Sequence, residues 1–242
     1  MLHIAILDAS LGTPHVKRNF PRELDARLSI FDVNEGELPP PVTTSSGLYP
    51  SDAPSAFDAV VISGSQSSVY EDRPWITQLS TWVEDAIATD IPMLGVCWGH
   101  QLLAQILGGR VEGGEYELGY VRVSQRGSDN FFSEVPNTFT AFATHSDYVV
   151  ELPEGATVLA ENDASIQSCR HGSLFTTQYH PEYDEKTARA MIGSKSLPEE
   201  TVRRALGTCT RENVSAANEV KRIFRNFTEY AAQHSLRSPT GP

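Results

Sequence analysis

Residues 91–109, Ile-Pro-Met-Leu-Gly-Val-Cys-Trp-Gly-His-Gln-Leu-Leu-Ala-Gln-Ile-Leu-Gly-Gly, constrain this chain more than any other stretch. Ile91 to Val96 is an apolar run that reads as a buried strand, with Pro92 tolerated near its start. Cys97 follows, with Gly95 and Gly99 two residues away on either side. Leu102, Leu103, Ile106 and Leu107 then recur at helical spacing until Gly108-Gly109 stops the helix. The pattern predicts a strand, a sharp turn that carries a thiol, and a helix. Flanking glycines let the backbone turn without a Cβ clash, as in a nucleophile elbow with Cys in place of Ser. A thiol at a helix N-terminus is also favoured as thiolate by the dipole and the free N–H groups.

Alone, a cysteine in an apolar stretch is ordinarily a small buried hydrophobe. The tail of the chain changes that reading. Leu174 to Tyr179 reads as a strand running into His180-Pro181-Glu182. The residue before a proline is held extended, so His180 and Glu182 leave the backbone on the same face. A carboxylate can then orient one imidazole nitrogen while the other faces a thiol, and Cys97, His180 and Glu182 form a triad by role. His145 is the competing base, and Asp147, two residues on, could serve it.

Gly95-Val96-Cys97-Trp98-Gly99-His100-Gln101 together with Gln178-Tyr179-His180-Pro181-Glu182 resembles the class I glutamine amidotransferases. Within them, the chain is most similar to the glutaminase domain of GMP synthase and its stand-alone relatives, over roughly residues 58–183. The resemblance implies an α/β sheet fold and hydrolysis of the glutamine side-chain amide through a thioester, with release of ammonia. It implies that the loop after the Asp58–Ser63 strand, at Gly64 and Ser65, supplies one backbone N–H of an oxyanion hole. Relatives commonly carry a Gly-Gly pair there, so Ser65 is a mild departure. The second donor would be the N–H of Trp98, the residue after the nucleophile. Gln101 lies one helical turn beyond Cys97 and would reach the same pocket, where the matching glutamine of relatives contacts substrate. Thr144-His145-Ser146-Asp147 resembles the family loop whose backbone holds the α-amino and carboxylate groups of glutamine. His100 points elsewhere and reads as structural, and Cys169 and Cys209 read as inert.

The rest of the chain fits one doubly wound architecture. Leu2–Asp8 and Ser29–Val33 read as parallel strands with a helix over Val16–Leu28 between them, disturbed locally at Pro21. Residues 34–56, with three consecutive prolines, read as loop, and Pro74–Ala88 as a helix. From Arg110 onward, short segments separated by turns suggest antiparallel ribbons, and 184–233 reads as helical, with a disordered tail over Arg237–Pro242. The expected fold is α/β: a mostly parallel doubly wound sheet with helices on both faces, a small antiparallel ribbon, and a C-terminal helical extension. Residues 1–183 would form the amidotransferase domain, and 184–242 an extension packed on it.

A formal net charge of −12 disfavours a nucleic-acid partner. No apolar stretch approaches a membrane span, no basic region precedes an apolar leader, and three cysteines without metal-type spacing suit a reducing cytoplasm. No metal and no cofactor is expected. The partner would be glutamine or a γ-glutamyl compound. With no synthase domain in the chain, ammonia would pass to a separate synthetase subunit that accepts it. The rival expectations are a γ-glutamyl peptide hydrolase using the same triad and a catalytically silent regulatory subunit.

Overall fold

The computed structural model describes residues 1–41 and 57–237. In chain order the strands are β1 (His3–Asp8), β2 (Arg27–Asp32), β3 (Ala59–Ile62), β4 (Met93–Val96), β5 (Arg110–Gln125), β6 (Thr138–Glu151), β7 (Thr157–Glu161), β8 (Ile166–His171) and β9 (Leu174–Thr177). Among the described residues they form one sheet in the order β2-β1-β3-β4-β9-β8-β7-β5-β6. The pairings from β2 through to β9 are parallel, and those from β9 out to β6 are antiparallel. The α-helices are α1 (His15–Glu23), α2 (Pro74–Ile87), α3 (Trp98–Ile106), α4 (Glu185–Gly193), α5 (Glu199–Gly207), α6 (Arg211–Ala216) and α7 (Arg222–Arg237).

Strand side chains alternate between faces, and the central strands are apolar on both. On one face Ala5, Leu7, Val60, Ile62 and Met93 pack with Ile76, Leu79 and Val83 of α2 and Leu102 and Leu103 of α3. On the other, Ile4, Ile6, Val61, Leu94 and Phe175 pack with Phe20 of α1 and Ile223, Phe224 and Phe227 of α7. Burying each such aromatic contributes roughly 1.5–3 kcal/mol over leaving it exposed. A third cluster joins Tyr120 and Phe142 of the long β5–β6 hairpin to Ala188, Met191 and Ile192 of α4 and Ala205 of α5.

Several boundaries depart from the sequence pattern for identifiable reasons. The helix expected to Leu28 ends at Glu23, because Arg27 already pairs with His3 in the β1–β2 ladder. Leu24 is extended, so the apolar periodicity runs past the point where sheet pairing takes over. The first of the short segments expected from Arg110 onward merge into one sixteen-residue strand, with the Gly113–Glu117 stretch absorbed as a register shift. Thr144–Asp147, expected as a loop, lies within β6. The helical stretch expected over 184–233 is interrupted at Glu219–Lys221 by a 3₁₀ turn, and its last helix continues through Arg237. Residues 42–56 of the expected loop, and 238–242 of the expected disordered tail, fall outside the described residues.

Candidate active site

Cys97 is the junction of β4 and α3, at φ +53° and ψ −103°. A non-glycine residue at positive φ stores strain, and the neighbouring packing holds it there. A Cβ at position 95 would lie 2.5 Å from the Gly99 carbonyl oxygen, and one at 99 would lie 2.5 Å from that of Ile62. Gly95 and Gly99 are therefore needed for close backbone approach. The Cys97 N–H donates to Thr177 O at 2.7 Å, fastening the turn to β9.

The turn after β9 brings His180 to this thiol. Its Nδ1 meets Glu182 Oε1 at 2.8 Å, and both side chains are almost wholly buried. The other edge of the ring, Cε1 and Nε2, faces the Gly64 position together with Cys97 Cβ. Burial pulls the imidazole pKa down, but the charges of Glu182 and Cys97 outweigh it and raise it to about 10. Tyr183 stacks on the ring at 4.3 Å between centroids. Arg22 of α1 donates to the Glu182 carbonyl, and Arg18 pairs with Asp184, whose side chain caps α4. The acid is thus clamped between two helices.

Gly64 lies against the same groups: a Cβ there would fall 2.7 Å from His180 Cε1 and 3.5 Å from Cys97 Cβ. Ser63 Oγ accepts from the Ala9 N–H and donates to the Gly64 carbonyl at 3.0 Å. The Gly64–Ser65 peptide is trans, so the Ser65 N–H points opposite to that carbonyl. Trp98 opens α3, where an N–H has no intrahelical acceptor.

Beside the thiol lies a cavity of about 250 Å³. Ser65, Cys97, Gln101 and the Thr144–Asp147 stretch line it, so the structure gathers these positions from four places in the chain. Gln101 Nε2 donates to Asp147 O at 2.8 Å and to Gln178 Oε1 at 3.2 Å, tying α3 to β6. Gln178 also directs Nε2 at Cys97 Sγ, 3.8 Å away. The carboxylate partner of His145 is Glu117, not the Asp147 that the sequence offers: Nε2 meets Glu117 Oε2 at 2.9 Å. Glu117 is its cross-strand neighbour in β5 and also accepts from Asn162 and Gln167. Asp147 instead accepts from the Tyr70 hydroxyl at 3.2 Å.

His100 points away from the cavity, onto Thr176 Oγ1 at 2.7 Å, and burial, with the His145 charge second, depresses its pKa to about 3. Cys169 and Cys209 are free and buried, and desolvation raises both thiols, Cys169 to about 11. Among the described residues no cluster of His, Cys, Asp and Glu could hold a metal ion, and no helix is long and apolar enough to cross a membrane. Sequence reasoning gave no role to Glu117, Gln178, Tyr183, Tyr116 or Lys195. Only Gln178 carried a signal, since it precedes His180 by two residues and so shares its strand face.

The family model for Glutamine amidotransferase class-I matches residues 24–197. Gamma-glutamyl peptidase 5 of Arabidopsis thaliana is 30% identical over 192 residues, covering 75% of this chain and 76% of the relative. A glutamine-hydrolysing GMP synthase subunit of Halobacterium salinarum is 31% identical over 189 residues, covering 75% and 90%. Matches to the GMP synthases of Bacillus subtilis and Pyrobaculum aerophilum span 24% of those proteins, about a quarter of their length. A glutamine amidotransferase crystal structure from Thermotoga maritima superposes with a TM-score of 0.74 at 22% identity, covering 96% of this chain and 98% of that one, and so shares the fold.

Proposed function

The chain belongs to the class-I glutamine amidotransferase family, and on that basis we propose that it hydrolyses the side-chain amide of glutamine through a thioester on Cys97. The observation that carries this reading is the gathering of Cys97 and His180 against Gly64, with the base held by Glu182 at 2.8 Å. In the proposed cycle the Cys97 thiolate attacks the γ-carbonyl carbon, and the carbonyl π electrons move to oxygen. The N–H groups of Ser65 and Trp98 stabilise that oxyanion, and the Ser63-held carbonyl of Gly64 supports an oriented Ser65 donor. Collapse of the intermediate breaks the C–N bond, and His180 gives its proton to the departing ammonia. The neutral imidazole then takes a proton from water as the water oxygen attacks the thioester, releasing glutamate and restoring thiolate and imidazolium. Glu182 orients the ring throughout.

Passage of ammonia to a separate synthetase subunit is supported by the resemblance to the GMP synthase subunit of Halobacterium. A second reading, hydrolysis of γ-glutamyl peptides by the same steps with an amine leaving, is favoured by the Arabidopsis relative. The acidic composition and three free buried cysteines support a cytoplasmic protein. The test is to incubate wild type and Cys97→Ala with glutamine and with γ-glutamyl peptides, alone and with a candidate synthetase, and to measure ammonia and glutamate. Release that depends on Cys97 is the expected result, and its preference among substrates separates the two readings. Release undiminished in Cys97→Ala removes Cys97 from the mechanism, and absence of release under every condition favours a regulatory role without catalysis.

A further inference from the structure

We infer that Lys195, in the connection between α4 and α5, is a substrate-binding residue that pairs with a carboxylate of the γ-glutamyl substrate; this rests on the reading of the site as a γ-glutamyl amide hydrolase. Lysine is scarce here, at four residues, numbers 17, 186, 195 and 221. Lys17 is paired with Asp32 and Lys221 with Glu23. Lys195 is half-buried, lines the cavity that holds Cys97, and forms no ion pair among the described residues. Its Nζ sits over the Tyr116 ring, 5.3 Å from the centroid. Tyr116 is in turn fixed, its hydroxyl hydrogen-bonding Thr144 Oγ1 at 3.1 Å. The ammonium is therefore held by an aromatic face at the rim of the cavity, and among the described residues no carboxylate pairs with it.

The acids nearest this cavity are already engaged. Glu117 is held by His145, Asn162 and Gln167, and Asp147 accepts from Tyr70. A partly desolvated cation on a polar cavity attracts an anion more strongly than the same charge in water. Every γ-glutamyl compound carries one in its α-carboxylate, and a γ-glutamyl amino acid carries a second on its leaving side. The shared chemistry is a carboxylate charge-assisted by the Lys195 ammonium. Asp147, on the same wall, leaves the cavity with both signs of charge, as a zwitterionic substrate requires.

Binding in the absence of turnover tests this directly. L-Glutamine, γ-glutamylglycine, γ-glutamylglycinamide and the α-amide of glutamine would be titrated calorimetrically into Cys97→Ala and into Cys97→Ala carrying Lys195→Gln or Lys195→Arg, with thermal unfolding recorded for each. Lys195→Gln is expected to weaken binding about tenfold or more, and Lys195→Arg to retain most of it. The compound whose amidation removes that loss identifies which carboxylate is paired. Equal affinities with Gln and Lys at 195, or a loss that persists in both amidated compounds, overturn the assignment. The tenfold loss at Lys195→Gln together with no turnover by wild type refutes the hydrolase reading while leaving the Lys195 contact in place. Failure of all four compounds to bind the parent variant overturns both.

Discussion

The two ends of the sheet differ in how they build the cavity. The parallel end supplies the proposed reactive groups from turns at the carboxyl ends of adjacent strands: Gly64 after β3, Cys97 after β4 and His180 after β9. Such turns project side chains beyond the strand ends, which is where α/β sheets place their sites. The antiparallel end supplies a wall instead, from the middle of the β5–β6 hairpin, where Thr144 to Asp147 face the cavity and the Glu117–His145 pair braces them. Neighbouring strands fix the first set, while one hairpin and its cross-strand side chains fix the second. On the proposed function, chemistry and recognition would reside on structurally separate parts of one sheet, so substitutions at one end should change kcat and those at the other KM.

The largest effect is expected from Cys97→Ala, which should lower kcat about ten-thousandfold or more with little change in thermal unfolding, measured as glutamate release. Glu182→Gln should follow, at about a hundredfold to ten-thousandfold in kcat, because it removes the acid that orients His180. Gly64→Ala should cost about a hundredfold, since its Cβ would displace the His180 ring. On the antiparallel side Glu117→Gln should raise KM several-fold while leaving kcat nearly unchanged. A fall in kcat that matches Glu182→Gln would break the division proposed between the two ends.

A pH experiment sharpens the same contrast. The folded-state pKa of His180 is raised to about 10 from an ordinary 6.5. The folded state thus binds this proton more tightly than the unfolded chain. Its stabilising contribution is complete below pH 6.5 and is lost as pH rises toward 10. Wild type should therefore lose thermal stability across that interval, and Glu182→Gln should flatten the loss. Glu117→Gln should leave this part of the curve in place. The smallest effect is expected from Tyr70→Phe, which removes one half-exposed hydrogen bond to Asp147 and should change KM by no more than a few-fold.

What could be read without coordinates follows from the range of the interactions involved. The strand, elbow and helix around Cys97 are local, as is the extended His180-Pro181-Glu182 spacing, so residue type and periodicity were enough to propose them. The helix α2 was legible for the same reason, with boundaries within a residue, as was the helical character of the region that holds α4 and α5. The end of α1 was not, because a ladder to a distant strand overrode helical periodicity. Nor was the partner of His145, since Glu117 is separated from it by a hairpin whose register no single strand specifies.

Residue type at short spacing was enough to establish which side chains could do chemistry and that Gly95 and Gly99 were needed at the turn. It took the folded chain to establish that Cys97, His180 and Gly64 meet, that β6 runs unbroken past the cavity, and that Lys195 closes one side of it. Those outcomes depend on strand order and register, which are set by the packing of the whole sheet and not by any one segment of it.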